Sequence, residues 1–152
     1  MKKVMAVASI GGHWIQLLRI ARPMEERYEM IYVSTHPKCA TMVEGRKYFL
    51  TTDFSRTDAW KLVPSFFNAI KTIRQENPDA IITTGAAPGL IYLLAGKLLG
   101  RKTIWIDSIA NAEHLSASGR MASKIASRTY TQWKDLAVGT IQYAGNVFGN
   151  TL

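Results

Sequence analysis

Apolar residues return along this chain in two alternating rhythms, short β-branched runs and longer stretches at helical spacing. The first run, Val4 to Ile10, reads as a buried strand; it breaks at Gly11-Gly12 and gives way to a helix over about His13 to Arg27. That helix gathers Trp14, Leu17, Leu18, Ala21 and Met24 on one face, and Pro23 either bends it or opens a second short turn. Met30 to Val33 makes a second strand, Ser34 to Pro37 a loop, and Lys47 to Thr51 a short third strand. A helix from about Asp58 to Glu76 carries Val63, Phe66, Phe67, Ile70 and Ile73 as a core-facing stripe, with Ser55 or Thr57 as its cap. Ala80 to Thr84 is apolar enough for a strand buried on both faces. The turn Gly85-Ala86-Ala87-Pro88-Gly89 then leads to a helix over Gly89 to Leu99, apolar nearly all round and stopped by Gly100. Strand five is Lys102 to Ile106. A polar, flexible stretch, Ala112 to Arg120, precedes a small-residue helix around Met121 to Ser127, and Tyr130 to Trp133 is a sixth strand or a loop.

Strands alternating with helices throughout predict an α/β fold, a single Rossmann-like doubly wound parallel sheet with helices on both faces. Residues 1–138 form that domain. Residues 139–152 carry too little pattern for an internal element and read as a tail that orders against something else. In such a fold the strand ends at the carboxyl edge hold ligands. Three loops converge there: Ser9 to His13, Thr84 to Gly89, and Asp107 to Asn111.

Two of those loops are glycine-bearing turns that each open a helix. Glycine lets the backbone approach a ligand, and a helix start aims unpaired N–H groups and partial positive charge at it, which suits an anion and above all a phosphate. Two such turns can cradle two phosphates. His13 or Asp107 could take a proton from a hydroxyl nucleophile beside them. The constellation therefore suits group transfer next to a diphosphate.

Composition narrows the partners. Nineteen Lys and Arg against eleven Asp and Glu give the 152-residue chain a formal charge of +8, which favours nucleic acid, an acidic membrane face or a phosphorylated substrate. The basic residues are spread along the chain and no nucleic-acid motif stands among them, so nucleic acid is not expected. Arg56, Trp60, Lys61 and Phe66 combine basic and aromatic character of the kind that rests on a membrane surface. The single cysteine, Cys39, excludes an internal disulfide, and no His/Cys spacing forms a metal site. No Asp or Glu follows the second strand to hold a ribose, so neither a nicotinamide nor a flavin cofactor is expected. The longest nearly uncharged apolar run, Pro88 to Leu99, falls well short of the roughly 20 residues a membrane-spanning helix needs. The apolar part of the N-terminus is too short for a signal peptide, which points to the cytoplasm.

Taken in order, Ser9-Ile10-Gly11-Gly12-His13 with Gln16-Leu17, Thr83 to Gly89, Asp107 to Asn111 leading to Leu115 to Gly119, and Gln132-Trp133 resemble the Alg-fourteen-like oligosaccharide biosynthesis proteins. The bacterial members of that family include PssD-type subunits of exopolysaccharide glycosyltransferases. The resemblance implies the N-terminal, acceptor-binding half of a GT-B fold of the MurG kind. It also implies a separate Alg-thirteen-like or PssE-type subunit that brings a UDP-sugar, and a polyprenyl-diphosphate-linked saccharide as acceptor. By the same resemblance Ser9, Gly11, Gly12, Gly85 and Gly89 hold the acceptor diphosphate, and His13 and Asp107 are the catalytic candidates. Tyr143 and Gly145 lie in the segment that docks on the partner. Eukaryotic members begin with a membrane-spanning helix, whereas here the first strand begins at once. Association with the anionic cytoplasmic face of the inner membrane would then be peripheral. A non-catalytic scaffold that activates the partner is the alternative, and it predicts that changes at His13 and Asp107 are tolerated.

Overall fold

The computed structural model describes residues 1–53 and 56–149, with backbone only at Arg56 and Thr57. Ser55, and the side chains of Arg56 and Thr57, named above as cap and basic surface, lie outside that description. Seven strands form one sheet in the order β3-β2-β1-β4-β5-β6-β7, and every pairing is parallel. They are β1 Lys3–Ala8, β2 Glu29–Ser34, β3 Lys47–Leu50, β4 Ala80–Gly85, β5 Lys102–Ile106, β6 Arg128–Thr131 and β7 Ile141–Tyr143. The helices are α1 Gly12–Met24, α2 Leu62–Glu76, α3 Ala86–Leu98 and α4 Ala117–Ser123, with 3₁₀ turns at Pro37–Val43, Arg56–Lys61 and Lys134–Leu136.

Right-handed crossovers explain how the helices divide. The connection from β1 to β2 steps toward one edge and lays α1 on one face; those from β3 onward step the other way and lay α2, α3 and α4 on the opposite face. Strand residues alternate accordingly. Val4, Ala6, Ala8, Met30 and Tyr32 pack under Trp14, Leu17, Leu18 and Ala21 of α1, while Met5, Val7, Ile31, Val33 and Ile81 pack under Ala69, Ile73, Ile91, Tyr92 and Ala95 of α2 and α3. Leu93, Trp105 and Ala122 extend the second layer to α4. Each large apolar side chain buried here stabilises the fold by roughly 1.5–3 kcal/mol. Gly96 brings α3 down onto the sheet, because a Cβ there would collide with Ile81.

Several elements depart from the sequence expectation. The tail is not free of structure: Ile141–Tyr143 is β7, an edge strand paired with β6. Three residues are too few to show a period, so only the pairing reveals it. Helix α3 starts at Ala86, not Gly89, since Gly85 and Ala86 make the turn themselves with φ of 136° and 68°. Helix α4 starts at Ala117, four residues early, because the Ser116 hydroxyl accepts a bond from the Gly119 amide and caps it. The stripe on α2 is only half core: Ile73 is buried, Phe66 and Ile70 pack partly against the core, and Val63 and Phe67 are exposed. Among the described residues no helix is long and apolar enough to cross a membrane.

Candidate functional site

The order of strands reverses between β1 and β4, and in doubly wound sheets that switch point opens a crevice at the carboxyl edge. Both glycine turns stand there. At the end of β1, Gly11 adopts φ 104° and ψ −142°, a conformation costly for any residue with a Cβ. Helix α1 follows with no side-chain cap and no acidic residue in its first turn. A Cβ added at Gly11 or Gly12 would meet nothing within 4 Å, so this helix start faces open space. Ser9 is buried behind it, and the Ile10 amide donates to the Thr35 hydroxyl at 2.9 Å.

The second turn is built onto the first. Pairing between β1 and β4 slips after Val7↔Thr83 to Ala8↔Gly85, leaving Thr84 as the extra residue of a bulge. The bulge turns Thr84 toward α1, where its hydroxyl donates to the His13 carbonyl at 2.6 Å and its own carbonyl lies 3.1 Å from His13 Nδ1. A carbonyl only accepts, so this bond requires the proton on Nδ1, and in neutral His13 the acceptor nitrogen is then Nε2. Gly85 makes the contact possible: a Cβ there would sit 2.7 Å from Nδ1 and 2.8 Å from Cε1 of the ring. The Thr83 hydroxyl accepts from the Gly85 amide at 3.1 Å and fills the space a Cβ on Gly89 would need. Gly89 thus stands within α3 as a close-packing residue, while Gly85 shapes the rim.

Asp107 occupies a different setting. It is 2% exposed, and its carboxylate accepts from four donors: Trp105 Nε1 at 3.0 Å and the Ser116 hydroxyl at 2.7 Å on Oδ1, the Ser116 amide at 3.0 Å and Asn111 Nδ2 at 3.2 Å on Oδ2. A carboxylate offers about four acceptor positions, and all are taken. Gly119 leaves room for it, since a Cβ there would lie 2.5 Å from Oδ1. The residue gathers both ends of the loop between β5 and α4, which is therefore tied down where the sequence suggested flexibility.

The two regions meet through residues that no spacing singled out. Gln16, one turn beyond His13, donates to the Ser108 hydroxyl at 3.1 Å and accepts from the Ile109 amide at 3.1 Å. Gln132 donates to Gln16 Oε1 at 2.8 Å, and Trp133 Nε1 donates to the Ile109 carbonyl at 2.6 Å. Gln16-Leu17 and Gln132-Trp133 belong to the family-like motifs, which was the one signal in the sequence for them. Thr84 lies in the Thr83 to Gly89 motif as well, but nothing in the sequence assigns it a contact with His13. Tyr143 is exposed on the edge strand β7, and Gly145, φ 112°, begins the segment that runs toward Arg19 of α1.

A separate surface lies at the start of α2. Trp60 is 72% and Phe67 64% exposed, with Leu62 and Val63 also exposed and Lys61 Nζ 5.4 Å from the Trp60 ring centroid. Phe66 points partly into the core and stacks edge-on against Phe67 at 5.9 Å.

Comparison with known proteins places this geometry. The chain is 24% identical to the UDP-N-acetylglucosamine transferase subunit ALG14 of Debaryomyces hansenii, over 89% of this chain and 71% of that one. It is 28% identical to the UDP-N-acetylglucosamine–N-acetylmuramyl-(pentapeptide) pyrophosphoryl-undecaprenol N-acetylglucosamine transferase of Fusobacterium nucleatum, over 86% of this chain but only 38% of the relative. Its fold superposes on Acinetobacter baumannii MurG with a TM-score of 0.82 at 16% identity, covering 96% of this chain and 46% of that one. It also superposes on Staphylococcus aureus MnaA, with a TM-score of 0.76 at 17% identity and 44% of that chain covered. The fold is thus the N-terminal, Rossmann-like half of a GT-B architecture. Residues 52–147 match the family described as Oligosaccharide biosynthesis protein Alg14 like, and the chain belongs to that family.

Proposed function

We propose that this chain is the acceptor-binding, membrane-recruiting subunit of a two-component glycosyltransferase that adds a sugar to a polyprenyl-diphosphate-linked saccharide, in the service of exopolysaccharide or capsule synthesis. One observation carries the reading. The imidazole of His13 is held by Thr84 and Gly85 with Nε2 left as the acceptor, beside the start of α1, which has no side-chain cap and faces open space. Negative charge near such helix starts gains roughly 0.3–1 kcal/mol each at exposed sites. A diphosphate across the amides of Gly11, Gly12 and Ala86 would bring the acceptor hydroxyl to Nε2. The proton passes to Nε2, the hydroxyl oxygen attacks the anomeric carbon of the donor sugar, and the bond from that carbon to the diphosphate of UDP breaks. Asp107 then acts as a positioning group that holds the loop Ser108 to Ser116, because its oxygens are occupied. Gly89 supports α3 without touching phosphate.

The relatives motivate the remaining parts. One is named a transferase subunit, and this chain spans less than half of the single-chain enzyme MurG. A second doubly wound half, of the Alg-thirteen-like or PssE type, would bring the UDP-sugar, and both sequence relatives make UDP-N-acetylglucosamine the first donor to try. The strand and tail at Tyr143 and Gly145 would dock on it. Trp60, Leu62, Val63 and Phe67, flanked by Lys61, Lys71 and Arg74, form the surface that would rest on the cytoplasmic face of the inner membrane, with aromatic groups at the headgroup level.

Transfer from radiolabelled UDP-sugars to a polyprenyl-diphosphate saccharide tests this reading, with this chain, a candidate subunit of the Alg-thirteen-like or PssE type, and both together. Activity in the mixture alone, lost on His13→Ala, supports it. Activity that survives His13→Ala unchanged would instead make the chain a scaffold that contributes no reacting group.

A further inference from the structure

A buried path from the C-terminal tail to the acceptor rim runs through Gln132. Gln132 is buried at 4% exposure, and its amide is used at both ends. Nε2 donates to Gln16 Oε1 at 2.8 Å and to the Asp107 carbonyl at 3.0 Å, while Oε1 accepts from the Val147 amide at 2.9 Å. The orientation has no alternative, because a flipped amide would set its oxygen against two acceptors and its nitrogen against an N–H donor. Gln16 extends the path. The oxygen that receives Gln132 also receives the Ile109 amide, and its nitrogen reaches Ser108. Four segments, namely α1, the loop after β5, the end of β6 and the tail, therefore share two glutamines.

Beneath the tail lies a cavity of about 340 Å3, bordered by Ile20, Ile106 and Tyr130 on one side and Ala144 to Val147 on the other. The tail crosses it on polar contacts: Val147 to Gln132, and Arg19, whose guanidinium lies 3.4 Å from the Val147 carbonyl and 5.1 Å from the centre of the Phe148 ring. A segment held this way moves at the cost of a few bonds, with little packed core to disrupt.

We propose that Gln132 is a positioning residue that couples the tail to the acceptor rim, so that whatever seats or displaces residues 144–149 sets the order of Ser108 to Asn111 and of the α1 turns carrying His13 and Gln16. The link to acceptor binding rests on the function proposed above, while the coupling itself does not.

Two variants cut the path at different points. Val147→Pro removes the N–H that Gln132 accepts and leaves Gln132 to Gln16 intact. Gln132→Glu keeps an acceptor for Val147 but turns a second oxygen toward Gln16 Oε1 and the Asp107 carbonyl. Amide hydrogen exchange on the full chain reads both. Coupling predicts that each variant speeds exchange at the Ile109 amide roughly tenfold or more, the effect of losing about one buried hydrogen bond, with β1 and β4 unchanged. If Val147→Pro speeds exchange only within residues 144–149, the inference is overturned, and this holds even if Gln132→Glu fails to fold. Steady-state transfer with the partner present adds a second readout: Gln132→Glu should raise the acceptor KM several-fold and leave the KM for UDP-sugar in place. Exchange coupling without transfer in any mixture would remove the functional reading and leave the coupling standing. Transfer without exchange coupling would do the reverse.

Discussion

His13 and Asp107 sit at the same edge of one parallel sheet, and both are candidates for proton transfer in the sequence. Their surroundings differ in how much of their bonding capacity the protein itself uses. Asp107 accepts from four protein donors inside a closed loop. Among the described residues the His13 ring makes one hydrogen bond, which fixes the proton on Nδ1 and leaves Nε2 as an acceptor beside backbone that faces open space. A group whose bonds are all satisfied internally organises structure, whereas a group held in place with one site unspent is prepared for a ligand. The same contrast separates the glycines: Gly119 and Gly89 are small because side chains press on them, Gly11 and Gly12 although nothing does.

That contrast is easiest to break at Asp107. Asp107→Asn puts an NH2 group among donors and leaves buried N–H groups unpaired, which should cost about 2–3 kcal/mol in chemical denaturation. A loss under 1 kcal/mol would mean the loop does not depend on the carboxylate. Gly85→Ala is the next largest. Its Cβ would crowd the His13 ring, and the backbone there has φ 136°. Strain of that kind costs about 1–3 kcal/mol. Transfer should fall along with stability, since the ring must leave its seat; retained activity would show that the seat is not required. His13→Ala removes a half-exposed ring and one contact, so stability should change by about 1 kcal/mol or less. Transfer should drop by roughly 10²–10⁴, the usual contribution of a general base. An inactive variant that is also strongly destabilised would return His13 to the structural class.

The sheet, the order of its elements and the two glycine turns were legible because apolar periodicity and chain punctuation are local signals. What escaped was decided across the sheet. The bulge at Thr84 exists only in the register between β1 and β4, and β7 only in its pairing with β6. Asp107 could be placed at the strand end from sequence, but its saturation depends on Ser116, nine residues on, and on Trp105 and Asn111 folding around it. The α2 stripe reads as core because periodicity reports amphipathicity without saying which apolar residues the fold covers, and Val63 and Phe67 are left exposed.

The smallest predicted change in stability separates the two kinds of turn most sharply. Gly12 opens α1 with no positive φ and with nothing within 4 Å of an added Cβ. By folding alone it has no need to be glycine. Gly12→Ala should leave the free protein as stable or stabilise it by a few tenths to about 1 kcal/mol, through helix propensity and a less disordered unfolded chain. If a diphosphate lies against this turn, however, the new methyl group stands where the ligand approaches, and the acceptor KM should rise while the melting temperature does not fall. Gly119→Ala makes the matching control, because there the added methyl meets Asp107 and stability falls before any ligand is present. Should Gly12→Ala leave acceptor binding untouched, the open space before α1 is not where the ligand sits, and the rim must be sought nearer Gly85.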